Sequence, residues 1–183
     1  MENKEYIDKY EKNLEKLLWD YLLSKEKVDA MKPDAPDIEE KWEGICKSYI
    51  PDGIREFEGY PSVSLGWMFF VGMGVAALWD RNWGKYSKVD DLYIMMRDVR
   101  GYDCMDEYIC ERVLKLGKKQ SESITKLAGD LAVMAHSALM REGFEPSTAE
   151  AFHGYVSTLH QLYLAGAAVQ LKRMGYHMTK IDL

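Results

Sequence analysis

The stretch Ser62–Asp80, SVSLGWMFFVGMGVAALWD, decides how the chain is read. From Val63 to Trp79 it runs 17 residues without a charge, in a chain that is 30% charged. Such a run is a membrane span, the buried centre of a helical fold, or the wall of a ligand site. A span needs about 20 apolar residues to cross roughly 30 Å of hydrocarbon. This run reaches only about 25 Å at 1.5 Å per residue. Ser64 and the glycines Gly66, Gly72 and Gly74 lower its hydrophobicity, and Asp80 and Arg81 follow at once. A helix that is apolar all round is otherwise the core helix of a fold. The expectation is a central helix over about 62–80 and no membrane span. Its glycines let a neighbouring helix backbone come close. The alternative is that they leave room for a ligand.

Outward from this stretch the periodicity is helical. From Tyr6 to about Val28 the residues Tyr6, Tyr10, Leu14, Leu17, Tyr21 and Val28 share a face. Trp19, Leu22 and Leu23 lie off that stripe and point to a second contact, another helix or another subunit. Pro33 and Pro36 end the helix. Asp37 and Glu40 have the spacing of a capping box for a short helix to about Ser48, and Pro51-Asp-Gly53 reads as a turn. Pro61 suits the first turn of the central helix, and Gly84 is a plausible stop. Ser87 or Asp90 caps a helix broken by Gly101, and Asp103 caps one that ends at Gly117. Helices follow over about 122–142 and from the Ser147/Glu150 capping box to Met174. Each stops at a Gly-aromatic pair, Gly143-Phe144 and Gly175-Tyr176. No stretch alternates with period two for long enough to be a strand. The chain therefore reads as all-α: one domain over 1–183, a bundle of about six or seven helices around the central one.

The net charge of −6 opposes binding to nucleic acid, whose affinity rests on Lys and Arg neutralising phosphates. The three cysteines, Cys46, Cys104 and Cys110, form no disulfide framework and no Cys-x-x-Cys pair. Reduced thiols and a charged start, MENKEYIDKYEKNLEK, point to a cytoplasmic protein without a secretory signal.

The last helix holds the most chemistry. His153 and His160 fall on its apolar face with Tyr163, seven residues or about 10.5 Å apart. That is too far for one metal ion with Zn–N bonds of about 2.1 Å. With Trp67 of the central helix, and with His136 across the helix pair, they could line a pocket. The bland alternative is that each histidine meets its own neighbour. Glu150 and His153 have the Glu-x-x-His spacing of di-iron bundles, but no second such motif occurs. The acidic residues near Asp103 lack calcium-loop spacing, and their negative charge argues against an activated thiol at Cys104 or Cys110. Around Trp83, aromatic and charged residues mix as they do at interface hot spots.

Three functions follow. The leading one is a non-catalytic module for protein contacts or self-association, through Trp19, Leu22, Leu23 and Trp83. The second is a small-molecule binder or enzyme with a His-lined pocket between the central and last helices. The third is a metal site at Glu150 and His153. No motif requires a cofactor.

Overall fold

In this computed structural model, which describes residues 2–177, the described residues form eight α-helices and no strand. They are α1 Glu2–Ser24, α2 Pro36–Glu40, α3 Trp42–Gly59, α4 Pro61–Tyr86, α5 Leu92–Arg97, α6 Met105–Tyr108, α7 Lys118–Arg141 and α8 Ala149–Arg173. A 3-10 turn, Tyr102–Cys104, leads into α6, and a π turn, Ile109–Val113, follows it. The architecture is all-helical around a central apolar helix, as the sequence indicates.

Pro61 starts α4 at its first turn, where its missing N–H is not needed. Asn82 breaks it, with an extended backbone (φ −168°, ψ 80°). Its side-chain oxygen accepts from the Lys85 backbone N–H at 3.2 Å and so caps the last turn. Every residue from Ser64 to Leu78 except Trp67 is buried. By length and composition α4 could cross a membrane, but 78% of its most apolar window is covered by the rest of the chain. Each fully buried Leu, Phe or Met side chain contributes about 1.5–3 kcal/mol of transfer free energy.

The glycines of α4 are filled by neighbours, not left open. At Gly72 a Cβ would overlap the Tyr163 carbonyl of α8, and at Gly166 of α8 it would overlap the Phe69 carbonyl of α4. Gly66 faces Ala132 of α7, and Gly74 faces the sulfur of Met96. The α4–α8 pair shares the most extensive helix contact, with α7, α3 and α1 packed around it.

Several local expectations shift. The buried row of α1 is Tyr10, Leu14, Leu18 and Leu22, while Leu17 is 37% exposed. The row follows strict four-residue spacing, the ridge that packs on α8. Helix α3 runs through Pro51 to Gly59 because residues on both sides of the proline are buried, Tyr49 against the Ser64 carbonyl of α4 and Gly53 against the Tyr155 hydroxyl of α8. Thr148, not Ser147, caps α8, accepting from Ala151 N at 3.2 Å. Ser147 takes a left-handed backbone instead (φ 64°). Asp91, not Ser87 or Asp90, caps α5, and α2 has no side-chain cap. Gly143 and Gly175 adopt left-handed φ at the two helix stops, as their sequence position requires.

Candidate functional site

The segment between α1 and α2 arches over α8. Helix α1 ends with Glu26 in a left-handed conformation (φ 57°) and Lys27 N–H bonded back to the Leu22 carbonyl at 2.9 Å. Pro33 and Pro36 then hold the segment out of helix. Both feet of this strap stand on α8. At one foot, Lys172 Nζ donates to the carbonyls of Glu26 (3.1 Å) and Val28 (3.3 Å) and pairs with Asp29 at 3.3 Å. At the other, the Tyr163 hydroxyl donates to the Ile38 carbonyl at 2.6 Å. Burial pushes the Tyr163 phenol far above its ordinary pKa, so it is a donor at any physiological pH.

Under the strap lies a cleft of about 390 Å³. Leu18 and Leu22 of α1, and Leu164, Ala165, Ala168 and Leu171 of α8, make its apolar walls. Glu15, Lys32, Asp34, Glu39 and Gln161 make its polar rim. Lys32 of the strap pairs with Glu15 of α1 and lies 5.7 Å over the Trp19 ring. A smaller cleft of about 120 Å³ shares Trp19, Pro33–Pro36, Ala168 and Leu171 with it and reaches Trp79 and Tyr176. Trp19 therefore stands between the two. Its Nε1 is the buried side-chain polar atom without a hydrogen-bond partner among the described residues.

His160 stands behind the rim, bonded to its Glu39. Its Nδ1 lies 2.8 Å from Glu11 of α1 and its Nε2 lies 2.7 Å from Glu39 of α2. Its ring stacks on Trp42 of α3 at 4.9 Å. Burial disfavours the imidazolium, but the two carboxylates outweigh it and hold His160 above its ordinary pKa. Burial likewise pushes Glu11 up, but bonds from His160, Gln161 and Ser157 outweigh it and leave the carboxyl below its ordinary value.

The histidine pocket expected between α4 and α8 does not form, because those two backbones touch at Gly72 and Gly166. Of its five residues, only His160 and Tyr163 come together, both against Trp42. His153 is exposed beside Phe152, where the N-terminal turn of α8 leaves the core. His136 meets the edge of Phe57, and Trp67 donates to the Tyr102 carbonyl at 2.7 Å. Glu150 accepts from Asn3 at 2.5 Å, and among the described residues no three His, Cys, Asp or Glu side chains group to hold a metal ion. Leu22 is fully buried in its own core and is not open to a partner. Trp19 is half-buried at the cleft, and Trp83 is half-buried with Lys41 Nζ 5.6 Å over its ring. Of the four interface candidates only Leu23 is exposed, at 39%.

A second polar cluster lies in the core. Tyr49 donates to the Ser64 carbonyl, and the Ser64 hydroxyl bonds the Tyr155 hydroxyl. Nearby, Tyr93 donates to Asp52 at 2.5 Å, and Arg97 pairs with the same carboxylate at 2.8 Å. The sequence carries one signal of this cluster, Ser64, a hydroxyl in an uncharged helix, which needs a partner once buried.

Comparison of the chain with protein-family models, with curated proteins and with solved structures finds no match.

Proposed function

We propose that the protein binds a small molecule with an apolar body and a hydrogen-bond acceptor in the cleft under the strap. The observation that carries this is the partnerless Trp19 Nε1 beside a cleft of about 390 Å³ with apolar walls. Small-molecule sites are concave and mostly apolar with a few placed polar groups, at roughly 300–1,000 Å³. A buried donor left unpaired costs about 1–3 kcal/mol, so an acceptor placed there recovers that loss. The three free cysteines, two of them buried, accord with a reducing, cytoplasmic setting for this role.

The test uses 1-octanol, an apolar chain with one acceptor oxygen, followed by the indole N–H resonances of the ¹⁵N-labelled protein. Trp19→Phe assigns its own signal by removing it. The expected result is a saturable shift of the Trp19 resonance, with affinity weakened roughly threefold or more in Trp19→Phe. Ala168→Leu fills the cleft and abolishes the shift. An unmoved Trp19 resonance, or equal binding by Ala168→Leu, counts against the reading.

A further inference from the structure

An ionised carboxylate only accepts hydrogen bonds, and a neutral imidazole has one N–H to give. Both ring nitrogens of His160 face carboxylate oxygens, Glu11 at 2.8 Å and Glu39 at 2.7 Å. The geometry satisfies both contacts only when each nitrogen carries a proton. Removing one proton turns a lone pair towards a carboxylate at the same distance. The two sides then respond differently. The Glu11 oxygen is also held by Gln161 Nε2 at 2.9 Å, and its side chain is 24% exposed. The Glu39 side chain is 48% exposed, and its carboxylate has no other hydrogen-bonding partner among the described residues. The contact that lets go is therefore the one to α2.

We propose that His160 gates the cleft by its proton. Doubly protonated, it ties Glu39 of α2 to Glu11 of α1 across α8 and holds the strap down; singly protonated, it frees Glu39 and loosens the strap. Glu39 itself lines the cleft, as do residues 32–36 of the strap, so the tie holds one of the cleft's own walls. The groups facing His160 are Glu11 from α1, Glu39 from α2 and the Trp42 ring from α3, while the uncharged Gln161 and Ser157 of α8 hold Glu11. The other charged pair on the rim, Glu15 with Lys32, is satisfied within itself. Without the tie α2 keeps the buried Ile38 with its bond from Tyr163, and the bond from Trp79 Nε1 to Asp37 at 3.3 Å, so loosening centres on the strap and not on the fold.

The direction in pH follows from the raised pKa of His160. The tie is complete below the ordinary histidine value and is lost as pH rises through the folded value. For a ligand, the consequence rests on the cleft being a binding site; the motion itself does not. The experiment is amide hydrogen exchange on the unliganded protein between about pH 5.5 and 9, corrected for intrinsic rates, with His160 titration followed by its ring protons. In the wild type, protection over 31–41 falls on the order of tenfold through the His160 titration, while α7 stays constant. In His160→Gln it is low and independent of pH. Glu39→Ala, which removes the acceptor and leaves the core untouched, behaves as His160→Gln does and stands in for it if that variant does not fold. Protection that is constant through the titration in wild type, or that retains its pH dependence in either variant, overturns the gate. Failure of 1-octanol to bind overturns the cleft's occupant and leaves the gate standing.

Discussion

Gly72 of α4 and Gly166 of α8 sit against each other's helix backbone, each at the carbonyl three residues before its opposite number: Tyr163 for Gly72, Phe69 for Gly166. The contact is reciprocal. A Cβ at Gly72 would also lie 3.1 Å from Ala167 N, and one at Gly166 would lie 3.1 Å from Met73 N. Backbone cannot swing aside as a side-chain end can. Gly72→Ala and Gly166→Ala are each expected to destabilise the fold by about 3 kcal/mol or more, the upper range of overpacking. Gly129 is the control. It is helical and exposed, with nothing within 4 Å of a Cβ. Gly129→Ala is expected to stabilise by up to about 1 kcal/mol through helix propensity. Urea unfolding of the three variants checks the contrast; equal effects at all three positions would refute the close-approach reading.

Ser64 and Tyr155 are joined hydroxyl to hydroxyl across the α4–α8 interface, both buried. Burial pushes the Tyr155 phenol well above its ordinary pKa, so the bond is between neutral groups. Ser64→Ala leaves the tyrosine hydroxyl unpaired and is expected to cost about 1–3 kcal/mol. Tyr155→Phe leaves the serine hydroxyl and costs a similar amount. The double variant leaves neither group orphaned, so its cost is expected to fall short of the sum by about 1 kcal/mol. Strict additivity in thermal unfolding would show that the pair is not coupled.

Cys110 is 4% exposed. Burial, with Asp106 adding to it, pushes its thiol up to about 11. Burial raises Cys46 as well. At pH 8 neither holds appreciable thiolate, the form that reacts. Iodoacetamide labelling of the native protein is expected to spare Cys46 and Cys110, and to reach both only in denaturant. Rapid native labelling of Cys110 would contradict the packing around the π turn.

The helical architecture was legible because it rests on spacing. The uncharged run from Val63 to Trp79 needs a cover on every side, and the small residues of α7 and α8 supply it. The stops at Gly143 and Gly175 were legible for a similar reason, since left-handed backbone selects glycine. Tyr10, Leu14 and Val28 of the α1 face are buried as their spacing indicates, but Leu18 and Leu22 take the places expected of Leu17 and Tyr21, because Leu17 and Leu18 are chemically alike and only the surface they meet separates them. The cleft was not legible. Gly166 is small so that a backbone can fit against it, whereas Ala165 and Ala168 are small beside open space. Residue type does not distinguish these uses. His160 was a candidate, but its partners Glu11 and Glu39 lie 149 and 121 residues away in the chain. Spacing along one helix carries no information about them.

The strap has slack. Its feet on α8, Tyr163 and Lys172, are nine residues apart, about 13.5 Å along the helix axis. The chain between the feet, residues 29–38, could extend to about 26 Å with α2 intact from Pro36. The arch is therefore about twice as long as the gap it bridges. It can rise with both feet planted, lengthening the space beneath it without breaking the Lys172 or Tyr163 bonds. Contour length, not the strength of either anchor, sets the largest body that fits under it.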